Sequence, residues 1–95
     1  MTKKLLIIED DIALANGLCR ALATQKITAE SCDSLRKARQ KLAQEQYALL
    51  ILDINLPDGN GFDFLPELKQ VQNIPVIMLT ANDLEMDIVA GLEAG

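Results

Sequence analysis

Ninety-five residues make one domain with a single core, at the small end of the usual range. Apolar residues are 49% of the chain, yet no uninterrupted apolar run approaches the roughly 20 residues that span a bilayer, so the composition reads as a soluble globular protein without a membrane segment. A net charge of -5 argues against direct contact with nucleic acid, and the absence of histidine removes histidine-based triads, most zinc sites and any phosphohistidine carried by this chain.

The amino terminus, Met1-Thr2-Lys3-Lys4, has the charge of a signal peptide but only four apolar residues before Glu9, so it is read as no export signal. Cys19 and Cys32 lack metal-ligand spacing and the density of a disulfide scaffold, which places the chain in a reducing cytoplasm with both thiols free.

In chain order, a predicted strand over Lys4–Glu9 is followed by a helix marked by Leu14, Leu18 and Leu22, with Asp10 or Asp11 as its cap. A strand at Ile27–Ser31 precedes a helix carrying Leu35, Ala38 and Leu42, capped by Ser34. The third strand, Ala48–Asp53, leads to a helix with Phe64, Leu65, Leu68 and Val71; Pro66 is tolerated only near a helix start, which puts that start at Phe62 to Phe64. The fourth strand, Val76–Thr80, precedes a fourth helix marked by Leu84, Ile88 and Leu92, with Asn82 and Glu85 as a capping box. This βαβαβαβα order predicts a doubly wound α/β fold, a parallel sheet with helices on both faces.

The runs "LLII", "ALLIL" and "VIML" are continuously apolar, as in strands buried on both faces, whereas "ITAES" alternates like an exposed edge. A four-stranded sheet in the order 2-1-3-4 leaves "VIML" at the other edge, although its composition is that of an interior strand.

In such sheets ligands bind beyond the carboxyl ends of the strands, where strand order reverses. Glu9, Asp10, Asp11, Asp53, Asn55 and Thr80 all fall at such ends. Carboxylates converging from neighbouring strands either take up protons or hold a hard cation with oxygen ligands, and Mg2+ suits a small group of carboxylates with a carbonyl and waters. Taken singly, each acid also fits the plainer role of helix cap or solvated rim. Asp53 is the candidate nucleophile, because an aspartate can accept a phosphoryl group once a cation relieves the repulsion between the two anions. Thr80 can donate its hydroxyl to a phosphoryl oxygen, and small Ala81 leaves backbone amides accessible beside it.

The motifs "LLIIEDD", "LLILDINLPDGNG", "PVIMLTA" and "GLEAG" resemble the receiver domain of bacterial two-component response regulators over the whole chain. The resemblance implies a flavodoxin-like fold, with Asp53 as phosphoacceptor, Asp10 as direct Mg2+ ligand, Glu9 as ligand through water, and Asn55 supplying its backbone carbonyl. It implies that Thr80 follows the phosphoryl group, that Pro57 and Gly61 shape the turn after Asp53, and that the side chains at Asn55 and Asn82 influence hydrolysis of the phosphorylated state, where a polar amide that orients a water is expected to shorten its lifetime. Asp11 is left as a cap or outlying charge. The implied partners are a sensor histidine kinase, meeting the first helix near Asn16 and Arg20, and an output domain, most often a DNA-binding winged helix.

Members of the family continue through a fifth strand, an essential Lys and a fifth helix, so the sequence is read as a truncated receiver that hides its fourth strand by pairing with another chain or exchanging elements. Two other readings share the site: a phosphohydrolase of the haloacid dehalogenase type, whose motif wants an acid where Asn55 stands, and a pseudo-receiver that binds without being phosphorylated. Arg36, Lys37, Arg39 and Lys41 on the second helix are read as a solvated face.

Overall fold

A computed structural model describes residues 3–79 and 86–89. Its elements run β1 (Lys3–Ile8), α1 (Ile12–Leu22), β2 (Ile27–Cys32), α2 (Leu35–Gln44), β3 (Leu49–Asp53), β4 (Asn55–Leu56), β5 (Gly59–Asn60), α3 (Gly61–Val71), β6 (Val76–Leu79) and β7 (Met86–Val89). The main sheet has the order β2-β1-β3-β6-β7, parallel from β2 through β6, which is the predicted 2-1-3-4 arrangement with the polar strand at one edge.

Alternation along the strands divides the core in two, as the pleat requires. Leu6 and Ile8 of β1, Leu50 and Leu52 of β3, and Val76 and Met78 of β6 face α2 and α3, whose Leu35, Ala38, Leu42, Phe64 and Leu68 close the larger cluster. Ile7, Ile51 and Leu79 point the other way and pack against Ala15, Leu18, Cys19 and Leu22 of α1. The central strands are therefore covered on both faces, which explains their continuous apolar runs. The two cysteines are free and belong to opposite faces, Cys32 to the larger cluster and Cys19 to the smaller, so both serve packing.

Local capping follows the sequence. Asp11 Oδ1 accepts from Leu14 N at 3.1 Å, which settles the first cap in favour of Asp11 over Asp10. Ser34 Oγ accepts from Lys37 N at 3.2 Å. Three of the four basic residues of α2 are paired: Lys37 with Asp33 at 2.9 Å, Lys41 with Glu30 at 3.5 Å, and Arg39 with Glu67 of α3, the Arg39 guanidinium also lying 5.5 Å from the centre of the Phe64 ring.

Two expectations are corrected. Helix α3 begins at Gly61, one residue before the expected range, so Pro66 lies beyond its first turn; the bond it cannot make would have ended on Phe62, an exposed residue. The predicted fourth helix is not formed across its middle, because Met86–Val89 is a strand that pairs antiparallel with β6, from Val76↔Val89 to Leu79↔Met86. Three apolar residues at helical spacing are a weak signal, and the open hydrogen-bonding edge of a strand buried in composition is a strong attractor for a β-branched segment. The same pairing covers the edge of β6, and with it goes the reason for a second copy to dock there. The expected cap at Asn82 and Glu85 lies outside the described residues.

Candidate functional site

The register of the sheet builds the acidic site. Ile8 of β1 stands opposite Leu52 of β3, so the next residue on each strand, Glu9 and Asp53, arrives at the same level on neighbouring strands. Glu9 N continues the ladder to Cys32 O at 3.0 Å, and Asp53 stands opposite Leu79 of β6. Both acids are carried by strands whose Leu6, Ile7, Ile8, Leu50 and Leu52 are fully buried, which holds their backbones side by side.

One carboxylate oxygen from each of Glu9, Asp10 and Asp53 lies within 4.8 Å of the others. Glu9 is 6% and Asp53 4% exposed, while Asp10 faces solvent. Glu9 Oε2 accepts from Asp11 N at 3.0 Å. Asp53 Oδ1 is buried and accepts no hydrogen bond from the described residues. Burial raises the carboxyl of Glu9 to about 7, with the neighbouring acids Asp10 and Asp53 pushing the same way. Burial also raises Asp53, assisted by the charge of Asp10. The two buried acids share one charge more readily than two, and they titrate as a pair.

An orphaned carboxylate oxygen amid three converging acids is a hard-oxygen donor set, which fits Mg2+. A zinc or copper site would call for nitrogen or sulfur donors, which are not among these three residues. Asp11 stays out of the group, occupied at the head of α1.

The loop after Asp53 is a two-residue hairpin, with Asn55 opposite Asn60, Leu56 opposite Gly59, and Pro57-Asp58 at the turn. Asn55 is exposed and Leu56 buried. At the base, Gly61 N donates to Ile54 O at 2.7 Å; a Cβ on Gly61 would lie 2.3 Å from the carbonyl oxygen of Asp53, so only glycine fits beneath the acid. Thr80, Ala81 and Asn82 lie outside the described residues.

Two polar residues had no sequence signal beyond their type. Asp58 accepts from Leu35 N and Arg36 N, each at 2.9 Å, and those bonds hold its carboxyl below the usual range. Gln72, at the end of α3, donates to Leu42 O and Glu45 O at 2.8 and 2.6 Å and accepts from Tyr47 N at 3.1 Å. A turn motif such as "PDG" announces a loop, but not the helix it will reach.

A doubly wound sheet with an acidic trio at the switch point between β1 and β3 defines a class of α/β proteins that bind charged ligands at their strand ends. Residues 5–95 match the model of the response regulator receiver domain, and the chain belongs to that family. Over 93 residues it is 41% identical to the transcriptional regulatory protein BasR of Escherichia coli, covering 97% of this chain and 42% of that one. The non-phosphorylated HemR receiver domain of Leptospira biflexa superposes with a TM-score of 0.76 at 30% identity, over 85% of this chain and 66% of that one. The MaeR response regulator bound to beryllium trifluoride gives 0.72 at 34% identity, over 87% and 70%. The chain thus spans less than half the length of the curated relative, while its helices, among the described residues, include none long and apolar enough to cross a membrane.

Proposed function

We propose that the domain is a Mg2+-dependent phosphoacceptor switch that receives a phosphoryl group on Asp53 from a sensor histidine kinase in the cytoplasm. Within a longer protein it would control an output domain that regulates transcription, as the name of the relative BasR suggests. The observation that carries this reading is Asp53 itself: a buried carboxylate with an unpartnered oxygen, at the carboxyl end of a central strand, beside two further acids. That the similar MaeR protein binds beryllium trifluoride supports a site that accepts a small inorganic group.

Asp10 would ligate the cation directly, Glu9 through water, and Asn55 through its backbone carbonyl. A Mg2+ ion held by these residues would supply the positive charge that offsets repulsion between Asp53 and a phosphoryl group. The Asp53 oxygen then forms its bond to phosphorus as the donor's P–N bond breaks, or the P–O bond of a small acyl phosphate, the leaving group keeping the electron pair. Thr80 and the amide beside Ala81 would receive the phosphoryl oxygens, a role read from sequence, and the added charge would bias a two-state equilibrium sensed by the output domain. The domain would assist its own phosphorylation and dephosphorylation without turning over a separate substrate.

The test is labelling by acetyl phosphate with and without Mg2+, on this chain and on a version extended through the family's fifth strand and its Lys. Label in the extended form should require Mg2+ and vanish in Asp53→Asn. Label that survives the substitution refutes the assignment.

A further inference from the structure

The hairpin that carries Asn55 is fixed at two places. Its base is closed by the bond from Gly61 N to Ile54 O. Its tip is held by Asp58, whose two carboxylate oxygens receive the first two amides of α2, Leu35 N and Arg36 N. The neighbouring Gly59 lies so close to α2 that a Cβ there would be 2.8 Å from Leu35 Cδ1.

Helix α2 already has a local cap, since Ser34 Oγ takes Lys37 N and Ser34 O takes Ala38 N. Leu35 and Arg36 are served instead from 23 and 22 residues away. A local residue suffices to cap a helix, so a cap drawn from a distant loop has its main effect on the loop. Here that loop contains Asn55, the backbone donor assigned to the cation. Both oxygens of Asp58 are engaged, each by its own amide, which fixes the orientation of the carboxylate as well as its position.

We propose that Asp58 is a positioning residue: by tethering the Asn55–Asn60 hairpin to the amino end of α2, it sets the affinity of the acidic site for Mg2+. The proposal rests on the cation reading of Glu9, Asp10, Asp53 and Asn55 given above. Asp58 does not touch the cation and acts through the backbone of Asn55.

Asp58→Ala and Ser34→Ala each remove capping from the same helix, but only the first releases the hairpin. Mg2+ titration followed by amide chemical shifts should show affinity reduced on the order of tenfold in Asp58→Ala, as for other residues that orient a metal ligand, and unchanged in Ser34→Ala. Asp58→Asn, which keeps one acceptor oxygen, should fall between. In metal-free protein the Gly61 amide should exchange faster in Asp58→Ala than in Ser34→Ala, a readout independent of the cation.

Equal loss of Mg2+ affinity in the two alanine variants, or none in Asp58→Ala, overturns the proposal. If the parent chain itself binds no Mg2+, the cation reading fails instead; Gly61 exchange then decides the tether, with faster exchange in Asp58→Ala supporting it and unchanged exchange overturning it.

Discussion

Raising the pH from 4.5 to about 7.5 without divalent cations should destabilise the domain, and the loss should be traceable to Glu9. The folded protein holds the Glu9 proton to about 7, whereas the unfolded chain releases it near 4.5. The contribution is therefore fully present below pH 4.5 and lost as the pH climbs through about 7. A span of that width corresponds to about 3 kcal/mol, out of the roughly 5–10 kcal/mol expected for a domain of this size. Asp53, also raised by burial, adds in the same direction. Asp33, Glu45, Asp58 and Glu67 are lowered by their partners, so their contributions are present above the ordinary carboxylate range and lost as the pH falls through it, which touches this window only at its lower edge and with the opposite sign. With no histidine in the chain, few other groups titrate there. Urea denaturation in chelator across this range should show the midpoint falling by about 2 M, at the slope usual for small domains. Glu9→Gln, which mimics the protonated acid, should be close to the parent at pH 4.5 and more stable than it at about pH 7.5. Mg2+ at about a hundred times its dissociation constant should restore about 2.7 kcal/mol to the parent at the upper pH, nearly cancelling the loss. A parent whose stability is flat or rising from pH 4.5 to 7.5, with no gain from Glu9→Gln, would refute the electrostatic account of the site.

Gly61→Ala should cost several kcal/mol in urea denaturation or displace Asp53, because the new Cβ falls 2.3 Å from the Asp53 carbonyl oxygen, which sits on a buried strand with no room to retreat. A loss under about 0.5 kcal/mol with Mg2+ affinity intact would show that the base of the hairpin adapts. Gln72→Ala removes three hydrogen bonds that join the end of α2 and the approach to β3, and should lower stability by about 2 kcal/mol while leaving Mg2+ affinity unchanged. Altered Mg2+ affinity in that variant would mean the far end of β3 communicates with the site.

What the sequence disclosed and what it withheld divide along the range of the interactions. Strands β1, β3 and β6 were legible because burial on both faces leaves an uninterrupted apolar run, and β2 because an edge tolerates Thr28 and Glu30. The Ser34 cap was legible because its partner lies three residues on. The acidic trio followed once β1 and β3 were placed side by side, since register alone brings Glu9 level with Asp53. Asp58 and Gln72 were not legible, because their partners are 22 to 30 residues away and any polar residue in a loop looks alike until the fold selects its neighbours. The segment Met86–Val89 failed for the converse reason: its local pattern pointed to a helix, and the unpaired edge of β6 outweighed it.

The site and the core follow from one arrangement. Two carboxylates on flexible loops would relieve their repulsion by moving apart, and their protonation would be ordinary. Here Glu9 and Asp53 stand at the ends of strands packed between α1 on one face and α2 and α3 on the other, so their backbones are held level and close. Repulsion then favours a proton, which raises the carboxyls, and a bound cation would return them to the ionised form. Apolar packing far from solvent thus sets the chemistry at the strand ends. The hairpin from Asn55 to Asn60 lies outside that core, like Asp10, exposed apart from Leu56, and Asp58 ties it to the head of α2.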